Sequence, residues 1–231
     1  MVYPKFTIRQ VKSLQKAGLV VAETFIRIKK IVQPGQTEKE IASTINKIMR
    51  SSGAQGLAFR TIVASGNHTA FPHHRPTNRK IKKNDLVLLD FGAKVNGFCS
   101  DMTRVIFIGQ PKPEWQKVYR IVQSAHQKAI KYLKSYILNH KSCLKANVLD
   151  SLARDFITKR GYGRYFIHSL GHGIGTRPHQ YFKIGPKSKS TIKPGFVFTI
   201  EPGIYLKGRF GVRFEDTVYL SKNGLVIFTQ I

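Results

Sequence analysis

Acidic residues are scarce: 12 Asp and Glu stand against 39 Lys and Arg in 231 residues, for a formal net charge of +27. Such a surface attracts nucleic acid or other polyanions without any special fold, so weak, nonspecific nucleic-acid association is one expected partner class. The cations run through every segment, including Lys29-Lys30, Arg79 to Lys83 and Lys183 to Lys193, and form no low-complexity tail. No RRM, KH or zinc-finger pattern accompanies them, which excludes those routes to sequence-specific readout. Only two cysteines occur, Cys99 and Cys143, without CxxC spacing, so neither a disulfide framework nor a thiolate zinc site is indicated. No run approaches the ~20 apolar residues that cross a bilayer, and Met1 to Arg9 holds no signal core. A cytoplasmic protein with no membrane partner is expected. The glycines lack a GxGxxG fingerprint in a βαβ setting, which argues against a dinucleotide site.

What is present begins with a 42% hydrophobic fraction, enough for a substantial core. After Thr7, an N-cap candidate, Ile8, Val11, Leu14, Val21, Phe25, Ile28 and Val32 recur at helical spacing until Pro34-Gly35. Thr37 and Glu40 read as a capping box opening a second helix through Ile41, Ile45 and Ile48. Leu86 to Gly92 and Phe98 to Ile108 then flank Asn96-Gly97, a dipeptide suited to a type I′ hairpin turn. The second half repeats the order. Trp115, Val118, Val122, Ala125, Ala129, Leu133 and Tyr136 mark a long helix, Val148, Leu152 and Phe156 another ending at Gly161, and strands follow. Ile81-Lys82 stands nine positions before Asp90, as Ile192-Lys193 does before Glu201, and Asp101-Met102-Thr103 resembles Glu215-Asp216-Thr217. An offset of about 111 predicts one α+β domain over residues 1–231, made of two αα-ββ halves at about 7–110 and 111–231.

Because acids are few, their positions are informative. With Asn96-Gly97 as a two-residue turn, paired positions sum to 193, which sets Asp90 opposite Thr103 and Asp101 diagonally across the same face. By the same logic Glu201 and Glu215 meet on the second hairpin, where a longer loop around Gly208 to Gly211 absorbs three extra residues and Pro202 suggests a bulge. Four ionised carboxylates on apolar strands require compensating positive charge. Arg104 and Arg213 are close enough in sequence to supply it structurally. Metal is the fuller account: an oxygen-rich set plus one imidazole, His172 within Gly171-His172-Gly173-Ile174-Gly175, suits Mn²⁺, Co²⁺, Fe²⁺ or Zn²⁺. His126 and His140, on or near helices, read as packing or surface residues.

Phe59 to Gly66, Phe71-Pro72-His73, Leu89 to Gly92, Cys99 to Arg104, His168 to Gly175, Thr199 to Tyr205 and Gly211 to Asp216 together resemble the creatinase/aminopeptidase P/methionine aminopeptidase superfamily, in its Xaa-Pro peptidase branch. The resemblance spans nearly the whole chain. It implies the pita-bread fold, with Asp90, Asp101, His172, Glu201 and Glu215 as ligands of two divalent ions, Mn²⁺ favoured. It further implies a metal-bridging hydroxide that cleaves the N-terminal bond of peptide substrates, most readily Xaa-Pro. Catalytic roles then fall to His73, His179 and Glu201, and substrate contacts to His73, His168, His179 and Arg213. Ser65, Ser169 and Cys99 need no nucleophilic role.

Thr176, Pro178 and Gln180 depart from the family pattern, and the missing acid after His179 bears on how that imidazole is oriented. Most Xaa-Pro relatives also carry an N-terminal domain, while this chain begins at the catalytic half, which leaves peptide length and oligomeric state open. Two other readings remain. One is a methionine aminopeptidase on the same core. The other is a non-catalytic pita-bread protein that binds partners or nucleic acid, which the five intact ligand positions disfavour.

Overall fold

The computed structural model describes residues 6–140 and 143–231. Its first half runs α1 (Ile8–Ile28), α2 (Glu38–Ser51), β1 (Gly56–Leu57), β2 (Ile62–Ser65), β3 (Leu86–Phe91), β4 (Ala93–Val95), β5 (Phe98–Cys99) and β6 (Met102–Phe107). The second runs α3 (Pro113–His140), β7 (Leu144–Lys145), α4 (Ala146–Thr158), β8 (Gly171–His172), β9 (Lys183–Ile184), β10 (Thr191–Ile192), β11 (Val197–Ile200), β12 (Gly203–Leu206), β13 (Phe210–Arg213), β14 (Asp216–Ser221) and β15 (Gly224–Ile227). Each half is thus a helix pair followed by antiparallel strands, in sheets ordered β2-β3-β6 and β11-β14-β15.

Local chemistry accounts for the helix starts. Thr7 and Thr37 both form capping boxes, with Gln10 and Glu40 respectively returning a side-chain bond to the cap backbone. The helix α1 stops at Ile28, before Pro34-Gly35, because Ile31 and Val32 leave it in a turn that bonds back to Ile28. Ile8 is 78% exposed, so the buried stripe starts further along, at Leu14. The expected α4 is present, and of the residues that marked it Leu152 and Phe156 pack part-buried against the core. Ala146, Leu149, Ala153 and Ile157 form its buried face, while Val148 is exposed and Phe156 lies under the Arg160 guanidinium, 3.4 Å from its ring centre. The apolar face is thus broader than one stripe, with Phe156 at its edge under a cation.

Strand alternation places the acids. Along β3, Val87, Leu89 and Phe91 join the core under α1 and α2, whereas Leu86 and Leu88 join the core of α3, α4 and the second sheet. Asp90 shares the parity of Leu86 and Leu88 and therefore faces the second half. The expected hairpin is present: Asp90 pairs with Thr103, and Asn96 and Gly97 have φ of 50° and 82°, as a type I′ turn requires.

The second hairpin differs from expectation. Its register of Ile200 with Asp216 and Gly203 with Arg213 brackets Glu201 and Glu215 as directly opposed positions, not diagonal ones. Residues 207–209 make a loop only one longer than Asn96-Gly97; the remaining two residues of spacing come from a shift of one pleat. Pro202 interrupts the ladder, but the register is the same on both sides of it, so no residue is bulged out.

The halves meet at a seam with two-fold character. Thr103 bridges Glu215, and its Oγ1 donates to Glu215 Oε2 at 2.6 Å. Reciprocally, Thr217 Oγ1 donates to the Asp101 carbonyl at 2.8 Å and accepts from the Asp101 N–H at 3.1 Å.

Candidate metal centre

The seam brings all five predicted ligands together. Carboxylate oxygens of Asp90, Asp101 and Glu215 lie within 4.8 Å of one another, and so do ligand atoms of His172, Glu201 and Glu215. Two triads therefore share Glu215. A further set of Asp101, His172 and His179 obeys the same limit.

Proton inventories show what the cluster lacks. His172 Nδ1 sits 3.2 Å from the Gly173 carbonyl, which can only accept, so Nδ1 is the donor there. Its Nε2 lone pair then faces Glu201 Oε1 at 3.2 Å and Asp101 Oδ2 at 3.8 Å, an arrangement of acceptors that calls for a proton or cation between them. Asp90 Oδ1, Asp101 Oδ1 and Glu215 Oε1 are buried with no hydrogen-bond partner. Unmatched acceptors of this kind are costly. Bound divalent ions would satisfy all of them, and the donor set of four carboxylates and one imidazole fits such ions chemically.

Arginine supplies part of the compensation. Arg213 donates to Asp90 Oδ2 at 2.5 Å, to Thr103 Oγ1 at 2.9 Å and to the Tyr205 hydroxyl at 2.7 Å, while Glu215 lies 3.8 Å away. Arg104 instead clasps Asp216, the Glu215 carbonyl and the Thr229 carbonyl. One guanidinium beside four carboxylates leaves an excess of negative charge. Burial, joined by neighbouring carboxylates, pushes Asp101 and Glu215 well above the usual carboxylate range, and burial raises Asp90. Burial opposes ionisation of Glu201 too, but the His172 hydrogen bond and charge outweigh it and bring that group to about 2.

The remaining predicted residues surround a cavity of about 1280 Å³ whose walls include His73, His168, His179 and Arg213 beside the acids. His168 Nδ1 donates to the Ser169 carbonyl at 2.8 Å, leaving Nε2 to accept from the Tyr205 hydroxyl at 3.0 Å. Burial lowers the pKa of His168, and the same cause, joined by the His172 charge, lowers that of His179. His179 packs edge-on against His172 with centroids 4.0 Å apart. Gln180 does not orient it: the amide turns back to Thr176 and the Arg177 N–H, closing its own loop. His126 is buried 3.1 Å from Asp216 Oδ2 and supports the seam.

Two functional neighbours escaped the sequence reading. Tyr205, inside the Glu201 to Tyr205 motif, links Arg213 to His168, and only its aromatic type beside the acid hinted at this. Glu38 was overshadowed by its capping neighbour Glu40, although the scarcity of acids applied equally to it.

Residues 12–222 match metallopeptidase family M24. The chain is 38% identical over 224 residues to the Xaa-Pro dipeptidase of Pyrococcus furiosus, covering 97% of this chain and 62% of that protein. Among solved structures, an X-Pro aminopeptidase from Thermotoga maritima superposes with a TM-score of 0.91 at 38% identity, covering 98% of this chain and 62% of that one. A prolidase from Thermococcus sibiricus gives 0.91 at 42%, covering 97% and 59%. The chain thus spans about three-fifths of the length of these relatives. With their architecture, an α+β pita-bread fold, and an intact acid and imidazole set at the seam, the chain belongs to metallopeptidase family M24.

Proposed function

We propose that this chain is a metal-dependent exopeptidase acting on peptides with a free N-terminus and proline in the second position. The observation that carries the reading is the pair of ligand triads sharing Glu215, with an imidazole lone pair and three unpartnered carboxylate oxygens turned toward them. Relatives named Xaa-Pro dipeptidase and X-Pro aminopeptidase support the choice of substrate.

Asp90, Asp101, His172, Glu201 and Glu215 would hold two divalent ions, Mn²⁺ being favoured; Lewis-acid polarisation of the scissile carbonyl is what such a pair supplies when bound. Glu201, kept anionic beside His172, is suited to accept a proton from the attacking water at Oε1 and return it to the departing nitrogen. Thr199 Oγ1, 3.2 Å from that oxygen, fixes the carboxylate. His73 and His179 stand at the cavity wall, where an imidazole N–H stabilises negative charge developing on the substrate oxygen. Arg213 and His168 line the same cavity and bond the Tyr205 hydroxyl between them, which suits both to contact a bound peptide there.

A scan of the second residue in short peptides, run on chelated protein with and without Mn²⁺ or Co²⁺, tests the reading. Metal-dependent release of the residue before proline is expected to be fastest. Faster release of methionine from Met-Ala or Met-Gly peptides assigns the chain to methionine removal, and hydrolysis that ignores metal overturns the mechanism.

A further inference from the structure

The second cluster of acid and imidazole in the molecule lies outside the ligand triads. Glu38, in the first turn of α2, has no exposed surface, and its carboxylate receives six hydrogen bonds. Oε1 accepts from the Ser65 N–H at 2.9 Å, Ser65 Oγ at 2.7 Å and His68 Nδ1 at 2.9 Å. Oε2 accepts from His74 Nε2 at 2.9 Å, the Thr77 N–H at 3.0 Å and Thr77 Oγ1 at 2.8 Å. Every partner is therefore a donor, and every one belongs to residues 65–77.

That segment is a strap whose Pro72 to Arg75 line the cavity, and it carries His73. On the side of the second half, Gly211 N–H donates to Thr69 Oγ1 at 2.9 Å, and Arg213 Nη1 lies 3.5 Å from the Pro72 carbonyl. His73 itself is exposed and, among the described residues, its ring makes no recorded hydrogen bond. Its place is set by the backbone on either side: Pro72 held toward Arg213, and His74 held by Glu38. The latter anchor is a buried anion that no neutral isostere reproduces. An amide in its place turns its NH₂ group toward either the Ser65 or the Thr77 N–H, each of which can only donate, and replaces at least that bond by a repulsion.

We propose that Glu38 is a positioning residue that acts through His73, holding the strap so that the imidazole is presented to peptide in the cavity. The inference rests on the exopeptidase reading for its kinetic part and on geometry alone for the clamp. The two are separated by measuring hydrogen exchange in residues 65–77 alongside hydrolysis of an Xaa-Pro peptide by the Mn²⁺-loaded full chain.

In Glu38→Gln, exchange across 65–77 is expected to rise. Metal content should be unchanged, and kcat should fall by about 10- to 100-fold with KM moved far less, the scale on which supporting partners act. On a His73→Ala background the same substitution should cost less than about threefold, because the residue through which Glu38 works is already gone. Thr77→Val, which removes one of the six bonds, should give a smaller loss of the same kind and serves if Glu38→Gln does not fold. Full additivity of the Glu38 and His73 effects overturns the proposal, as does loss of thermal stability with kcat intact, loss of bound metal, or unchanged exchange in the strap. If the wild-type chain cleaves no peptide, the exopeptidase reading fails, and the exchange comparison still decides whether the clamp exists.

Discussion

The two halves use one layout for different electrostatic ends. In the first, Asp90 faces Thr103 and Asp101 lies one pleat away; in the second, the register sets Glu201 and Glu215 face to face. The first half supplies short carboxylates and takes its guanidinium, Arg213, from the second. The second supplies longer carboxylates and the imidazole, and Glu215 belongs to both triads. A repeated fold therefore does not imply repeated chemistry. The seam lets each half contribute what the other lacks.

The largest effect expected is on metal. Asp101→Asn should abolish most hydrolysis yet keep about one ion, whereas Glu215→Gln, removing the shared oxygen, should lose both. Elemental analysis of the two variants makes the comparison, and equal metal retention would break it. Next comes Arg213→Met, which leaves Asp90 buried beside its fellow acids. Metal-free protein should lose about 3–5 kcal/mol of stability, part of it recovered when Mn²⁺ supplies the missing charge. Denaturant titration with and without Mn²⁺ reads this out.

Core substitutions should treat the helix pairs alike. Ile45→Ala in α2 and Leu149→Ala in α4, both fully buried, should each cost about 2–5 kcal/mol. Val148→Ala, next to Leu149 on the exposed side, should stay within about 0.5 kcal/mol. A loss at Val148 as large as that at Leu149 would restore the helix face expected from sequence.

The smallest effect is a slope with pH. Asp90, Asp101 and Glu215 have folded pKa values above their ordinary 3.8, 3.8 and 4.5, so the unfolded chain releases these protons first. The contribution of these three groups to the stability of the metal-free protein is therefore complete below about pH 4 and falls as pH rises toward the raised values. Glu201, lowered to about 2, works in the opposite sense, but its contribution is complete above pH 4.5 and adds no slope there. His168 and His179, lowered by burial from their ordinary 6.5, make stability rise with pH in the same range. The carboxylate slope is therefore read as the difference in unfolding between chelated wild type and Asp101→Asn from about pH 5 to 8, wild type declining relative to the variant.

Much of this was legible in sequence because local rules act on single residues. Capping at Thr7 and Thr37, the Asn96-Gly97 turn and the Asp90–Thr103 register each depend on a few neighbouring positions. The clustering of the five proposed ligands was legible because acids are rare and fall on apolar strands. Where reading failed, the deciding contact was distant. On α4, Val148 is as apolar as Leu149, and only packing against the rest of the second half decides that one is exposed and the other buried. The pleat shift at Glu201 depends on how the second hairpin meets β6 across the seam. Glu38 resembled a helix-start acid until the strap closed on it, yet seven of the 12 acids prove to be buried, and the scarcity argument could have been applied to each.

The seam also dictates an order of events. Its bonds join residues far apart in the chain: Thr103 to Glu215 across 112 positions, Asp101 to Thr217 across 116 and Asp90 to Arg213 across 123. Helix hairpins close over short loops and form early, whereas contacts of this span await large loop closures and form late. The complete ligand set thus exists only after both halves have docked. Under the proposed metal centre, cations would arrive on a chain already folded, slowing its unfolding and leaving its rate of folding untouched.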